Sequence, residues 1–166
     1  GSGLVGSEMC IRDRIYDKNS KILILGSFPS VKSREGKFFY HHPQNRYWKV
    51  LAGILKSETP ATIEEKKAFL LENHIAVWDV IASCEIEGSS DSSIRNVIPN
   101  DLERILSTAN IKQIYTNGGT ASKLYRKYCY AQTQLEDVKL PSTSPANASY
   151  SLEKLMVEWA AVARDL

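Results

Sequence analysis

Four short apolar runs alternate along the chain with segments of helical period, and that alternation restricts the fold more than any other feature. Residues 21–25, KILIL, form an apolar run that stops at Gly26, as a buried strand does. Residues 75–81 and 111–116 read as a second and a third strand, and residues 138–140 as a short fourth. Residues 46–55 set Trp48, Leu51 and Leu55 at helical spacing. Thr62 with Glu65 makes a capping box for a helix through Asn73, with His74 as its C-terminal cap. Asn100 with Glu103 carries the same signature for a helix ending near Thr108. Residues 84–95 read as a polar loop and residues 120–128 as a helix. Ser151 caps a last helix to Arg164, with Leu152, Leu155, Trp159 and Val162 on or near its apolar face. Strands that alternate with helices predict an α/β fold, a three-layer αβα sandwich with a central, mainly parallel four-stranded sheet. Ligands of such folds bind beyond the carboxyl ends of the strands. The segments to inspect are therefore 26–45, 78–93, 117–120 and 140–149.

A chain of 166 residues, 43% of them hydrophobic and 24% charged, suits one compact domain. The start, GSGLVGSEMCIRDR, is rich in Gly and Ser and has no period, so residues 1–14 are expected to lie outside a single domain spanning 15–166. A net charge of +2 is not the footprint of a strongly basic nucleic-acid binder, although a local basic face is compatible with it. Cys10, Cys84 and Cys129 form no CxxC pair and cannot by themselves complete a four-ligand zinc or iron–sulfur site. A reduced, cytoplasmic setting is expected. No apolar run approaches the ~20 residues of a membrane span, so no membrane partner is expected.

The segment GSFPSVKSREGKFFYHHPQNRYW holds the richest chemistry. Gly26 lets backbone approach a ligand closely, and Pro29 sets a rigid turn. Phe38, Phe39 and Tyr40 offer flat faces on which a planar base stacks for ~1–3 kcal/mol. Loop packing against the core is the commoner use of such aromatics. Asn45 stands just before a helix, where an N-cap is an equally good reading. In GSSDSSIRN, backbone amides and hydroxyls beside Arg95 suit a phosphate, or a solvated turn capped by Asp91. Asn117–Gly118 suits a turn, or an amide that reads a base edge with its donor and its acceptor. Residues 142–148 are small and contain Pro145, so they form either a stiff loop that presses on a ligand or a polar connector. His41 and His42, beside a proline, are more often structural than acidic.

Taken in order, ILGSFPSVKS with YHHPQNRYWKV, then VWDVIASCEIEGSSDSSIRN, IYTNGGTA and LPSTSPANASYSLEKL resemble the successive motifs of the uracil-DNA glycosylase superfamily. The likeness runs from Ile22 to Leu166 and is strongest to the hypoxanthine (deoxyinosine) branch. It implies a DNA-repair enzyme that flips a deaminated base out of DNA and hydrolyses its N-glycosidic bond, leaving an abasic site. It implies Tyr40, Gly26, Ser27, Phe28 and Asn117 around the base, Asn117 reading its edge. It implies Ser89, Ser92, Ser142, Ser144, Pro145, Ala146 and Asn147 against the DNA. No metal or cofactor is implied, and the expected partner of the monomer is DNA containing deaminated bases. Two departures refine the likeness. Many members carry Asp or Asn where Phe28 stands, and uracil-releasing members carry a His where this chain reads Leu140-Pro141-Ser142-Thr143. The hypoxanthine branch shares the first absence, and in it the Asn of His-Pro-x-Asn is implicated in catalysis, which here is Asn45. The competing expectations are a uracil or mismatch-specific glycosylase, and a catalytically silent DNA- or nucleotide-binding module of the same fold, a reading that Phe28 keeps open.

Overall fold

The computed structural model describes residues 14–27, 39–40, 44–85 and 95–166. Phe28, Pro29, Lys32, Lys37, Phe38, His41, His42, Ser89, Asp91 and Ser92 therefore lie outside the described residues. The strands are β1 (Ile22–Gly26), β2 (Ile75–Asp79), β3 (Ile81–Glu85), β4 (Arg95–Pro99), β5 (Gln113–Asn117) and β6 (Asp137–Leu140). The helices are α1 (Tyr47–Ile54), α2 (Ile63–Glu72), α3 (Glu103–Leu106), α4 (Gly119–Tyr128), α5 (Tyr130–Thr133) and α6 (Leu152–Arg164).

The sheet is parallel throughout, in the order β2-β1-β5-β6, with helices on both faces. Every residue of β1 is buried, as a central parallel strand covered on both sides must be. Alternation along the strands sorts the core into two layers. Ile22, Ile24, Ile75, Val77, Tyr115 and Leu140 face α1 and α6, meeting Tyr47, Leu51, Leu155 and Trp159. Leu23, Leu25, Ala76 and Ile114 face the other way, onto Leu102, Ile105, Leu124 and Tyr125. The crossover from β1 to β2 runs through α1 and α2, and that from β5 to β6 through α4, on the opposite face. The chain thus changes face between β1 and β5, the place at the carboxyl edge where folds of this kind form their ligand crevice.

Local chemistry sets the boundaries as the sequence predicts, with instructive exceptions. The Thr62 hydroxyl accepts from the Glu65 amide at 3.1 Å while the Glu65 carboxylate reaches back to Ala61 N at 3.4 Å. His74 follows α2 with φ 64°, the left-handed cap position. Ser151 accepts from Lys154 N at 3.2 Å and starts α6, but Leu152 is exposed and the buried stripe is Leu155, Trp159 and Val162. Asn100 does not cap a helix. Its amide donates to Asp79 O at 2.7 Å, and Asp101 takes the cap by accepting from Glu103 N at 3.2 Å. The run 75–81 breaks at Val80 into β2 and β3, and what reads as a polar loop at 84–95 begins and ends inside an antiparallel β3–β4 pair. Ile15 bridges to Val77 and is buried, and Arg14 lies over the Trp78 ring at 5.4 Å. Among the described residues no helix is long and apolar enough to cross a membrane.

Candidate functional site

Strand register brings four residues to the crevice. Gly26 of β1 pairs with Asp79 of β2, and Asn117 of β5 pairs with Leu140 of β6. Asp79, Gly26 and Asn117 share the parity of Val77, Ile24 and Tyr115, so all three belong to the face that carries α1. Asp79 and Asn117 flank β1, two strand spacings or about 9.5 Å apart in backbone, with a residue that lacks a side chain between them.

Gly26 is there because nothing larger fits. A Cβ on it would lie 2.7 Å from Asp79 Oδ1 and 3.1 Å from Tyr40 Oη. Its carbonyl accepts from Val80 N at 2.8 Å and that of Ser27 from Ile81 N at 3.0 Å, so the β1 end is tied to the β2–β3 junction. Tyr40 has φ 50°, an uncommon conformation for a non-glycine residue. One face of its ring stacks on Tyr47 at 3.9 Å between centroids, and Trp48 Nε1 donates to its carbonyl at 3.3 Å. Tyr47 is fully buried between Tyr40, Trp48 and Trp159, and burial, aided by the neighbouring Tyr40, pushes its phenol well above the ordinary value. It remains a neutral packing surface.

The structure joins Asn45 to Asn117 through a residue that the sequence does not single out. Asn45 Oδ1 accepts from Tyr47 N at 2.9 Å and from Thr143 Oγ1 at 2.8 Å. Thr143 Oγ1 in turn accepts from Asn117 Nδ2 at 3.0 Å, and Thr143 N donates to Asn117 Oδ1 at 3.1 Å. Backbone N–H groups only donate, so they fix which end of each amide is oxygen. The hydroxyl proton must then point to Asn45. Thr143 is fully buried, while both asparagines are half-buried. Asn45 is thus a cap and a site residue at once. Its oxygen holds the first amide of α1 and the hydroxyl, and its Nδ2 has no partner among the described residues.

Arg46 is the second residue without a sequence signal. Its guanidinium donates to Thr143 O, to Ser144 O at 2.8 Å, to Asn147 O at 3.0 Å and to Tyr150 O, and its own N–H to Thr143 O at 3.1 Å. One planar cation gathers four carbonyls and shapes the 143–150 loop. The polar groups expected at DNA serve this loop first. Ser142 Oγ accepts from Ser144 N at 3.1 Å, Ser144 Oγ from Ala146 N at 3.2 Å, and Asn147 Nδ2 donates to Ser142 O at 3.0 Å. Pro145 and Ala146 stand at the loop's crest, Ala146 exposed. Trp159 Nε1 anchors the loop's start through Pro141 O at 2.9 Å. Gly118, at φ 102°, approaches Ser142 so closely that a Cβ would lie 3.2 Å from that of Ser142.

Beneath the site, Asp137 ties β6 to β5 and α4. It accepts from Thr116 Oγ1 at 2.6 Å, Ser122 Oγ at 2.7 Å and Arg126 Nε at 2.9 Å. Burial alone would raise its carboxyl, but the three donors outweigh burial and hold it below the ordinary value. Cys129 is buried and its thiol is pushed up to about 11 by that burial. Among the described residues no group of His, Cys, Asp or Glu is arranged to hold a metal ion.

The fold is an α/β sandwich of the class whose ligands bind at the carboxyl edge of the sheet. The family model described as uracil DNA glycosylase superfamily matches residues 14–164. A hypoxanthine DNA glycosylase of Methanosarcina acetivorans is 34% identical over 155 residues, covering 90% of this chain and 94% of that protein. A hypoxanthine DNA glycosylase of Methanosarcina barkeri is 31% identical over 106 residues, covering 63% of this chain and 67% of that protein. A solution NMR structure from Methanosarcina acetivorans, described as a candidate uracil DNA glycosylase, superposes with TM-score 0.77 at 31% identity, covering 92% and 96% of the two chains. The chain belongs to the uracil DNA glycosylase superfamily and is a DNA glycosylase.

Proposed function

We propose that the protein releases hypoxanthine from deoxyinosine in DNA by hydrolysis, as a monomer of the reduced cytoplasm that needs no cofactor, with one folded domain over residues 15–166. The observation that carries the reading is the Asn45–Thr143–Asn117 chain at the mouth of the crevice. The names of two relatives, which cover most of this chain between them, direct it to hypoxanthine.

The nucleotide is flipped out of the stack, at a cost of a few kcal/mol. Its base enters between Asp79 and Asn117, over Gly26 and Ser27, and stacks on Tyr40, whose ring Tyr47 backs. Phe28 and the serines Ser89 and Ser92 complete the surround in this reading. Hypoxanthine offers an N1–H donor and an O6 acceptor. Asp79 is acceptor-only when ionised and suits N1–H. Asn117 keeps one N–H beyond its bond to Thr143, which suits O6. Adenine has no proton on N1 and presents an amino group instead of O6, so it is rejected twice.

Asn45 has committed its oxygen, so it holds water by donation from Nδ2. The water accepts there and aims its other lone pair at the sugar carbon. Water oxygen bonds to C1′ as the C1′–N9 bond breaks, the bonding pair leaves on the base, and the water's proton ends on the base or in solvent. Because C1′ becomes oxocarbenium-like, placement matters more than basicity and is worth several kcal/mol. Ser142 or backbone N–H groups meet the charge on the leaving base. Pro145, Ala146, Ser144 and Asn147 present the loop to the DNA.

The test is incubation with strands containing deoxyinosine, deoxyuridine or deoxyxanthosine, followed by alkali. Cleavage chiefly at deoxyinosine is expected. A preference for deoxyuridine favours the uracil or mismatch-specific alternative, and no cleavage of any strand favours a silent binding module.

A further inference from the structure

Outside the crevice, the described surface carries a second concavity of about 530 Å³, lined by Gly119, Ser122, Lys123, Arg126, Lys127 and Lys139. Five of these lie on one stripe of α4 at helical spacings of three and four, and Lys139 reaches it from the neighbouring edge strand β6. Lys123, Lys127 and Lys139 are exposed. Arg126 is engaged by Asp137 and neighboured by Glu136, so the remaining positive charge of the groove is that of the three lysines, Lys127 lying over the Tyr128 ring at 5.2 Å. That concentration is notable in a chain whose net charge is only +2.

The groove lies on the α4 face of the sheet, and both of its walls join, in sequence, residues of the carboxyl edge that border the crevice. Gly119 follows Asn117 and Gly118, which hold the 142–143 turn, and Lys139 precedes Leu140, whose carbonyl accepts from Gly118 N at 2.8 Å. From Gly119 to Lys127 the helix advances about 12 Å, room for two to three successive phosphates of an extended strand. The buried Asp137 clamp keeps α4 and β6 at fixed spacing, so the two walls are a single rigid surface.

We propose that this groove is a track for the DNA strand on one side of the flipped nucleotide, its lysines contacting two or three backbone phosphates without reading sequence. The proposal rests on the glycosylase reading for its substrate, and adds to it where the flanking strand runs.

The test compares Lys123→Ala/Lys127→Ala/Lys139→Ala with a control that removes equal charge elsewhere, Lys18→Ala/Lys56→Ala/Lys112→Ala. All six side chains are exposed, so both proteins retain the fold. Binding to a fluorescent deoxyinosine strand is followed against salt. The groove variant should lose about 2 of slope in log affinity against log salt, and bind tenfold or more weakly at low salt. Its single-turnover base release at saturating enzyme should stay within about twofold of wild type, since the track holds DNA but touches no reacting atom. On a trinucleotide with deoxyinosine in the middle, wild type and groove variant should bind alike. If the groove variant keeps the control's slope on the long strand, the track is overturned. If wild type releases no base yet the groove variant still loses slope, the track stands and the glycosylase reading falls.

Discussion

Replacing Thr143 by Val removes one hydroxyl and leaves its volume, its backbone N–H and its backbone carbonyl in place. The N–H continues to hold Asn117 Oδ1, and the carbonyl continues to hold Arg46. What disappears is the link from Asn117 Nδ2 to Asn45 Oδ1. Two hydrogen bonds are lost, at a net ~0.5–1.5 kcal/mol each. Both asparagines are half-buried, so water can reach their freed atoms, and the total stays at about 1–3 kcal/mol rather than a full desolvation penalty. At ~2–4 °C per kcal/mol for a domain of this size, the melting temperature should fall by about 2–12 °C. The larger effect should be kinetic. Asn45 keeps only its bond to Tyr47 N, so its amide can turn about χ2 and the water it holds loses its line to C1′. A loss of roughly a hundredfold in single-turnover rate is expected from misplacement of that order, with DNA affinity changed little. Thr143→Ser, which keeps the hydroxyl, should restore most of the rate. A Val variant that melts lower but reacts at the wild-type single-turnover rate would refute the positioning role and leave Thr143 as loop packing.

Asn45→Ala should lose more of the chemical step than Thr143→Val while retaining DNA binding, and the lost α1 cap should cost about 0.5–2 kcal/mol, read by thermal melting; a near-wild-type single-turnover rate would make Asn45 a cap alone. Asn117→Ala should change the ranking of hypoxanthine against uracil as well as the rate, which competition between the two substrates reads. Base release should survive a chelator, and borohydride should trap no protein–DNA adduct, because a lyase needs an amine with a lowered pKa at the reacting carbon; a trapped adduct would overturn simple hydrolysis. Asp137 has a depressed folded value, so its contribution to stability is complete above its unfolded value near ~4 and fades as the pH falls through the folded one. The stability gap between wild type and Asp137→Asn, measured by denaturant unfolding, should therefore be flat from neutral pH down to about pH 4 and shrink below it.

Much of the fold is legible because its signals are local. An apolar run ended by Gly26, a Thr62–Glu65 box and a Ser151 cap each state an element within a few residues. Asn100 shows where such reasoning stops. Its spacing to Glu103 is right for a cap, yet a carbonyl 21 residues away at Asp79 takes its side chain, and Asp101 substitutes. The β3–β4 pair carries no local signal, because Ser, Gly and Asp dominate the stretch between its strands and read as turn. Around the crevice, motif order points to Asn45, Asn117, Tyr40 and Gly26, and the fold brings these four to the same edge of the sheet. It does not point to Thr143 and Arg46, because their bonds span about a hundred residues and a threonine among serines carries no local mark. Asp79 stayed hidden because it ends a strand, where a buried acid looks like a strand terminator until register sets it beside Gly26.

Consecutive residues of β5 divide two tasks between the faces of the sheet. Thr116 points away from the crevice and fixes β6 through Asp137, while Asn117 points into it and fixes the 142–143 turn through Thr143. Sheet periodicity couples the two, since a slip of one residue between β5 and β6 would send Asn117 toward α4 and bring Thr116 to the base. Asp137 thus fixes the β5–β6 register on which the Asn117–Thr143 contact depends, without touching it. The division also accounts for the kind of polar group at each place. On the anchoring face a charge is tolerable because Arg126 and two hydroxyls compensate it. Over the crevice, a carboxylate at Asn45 would still accept from Tyr47 and Thr143 but would have no proton to offer a water. In the proposed mechanism an amide meets both demands, holding the loop with its oxygen and the nucleophile with its nitrogen.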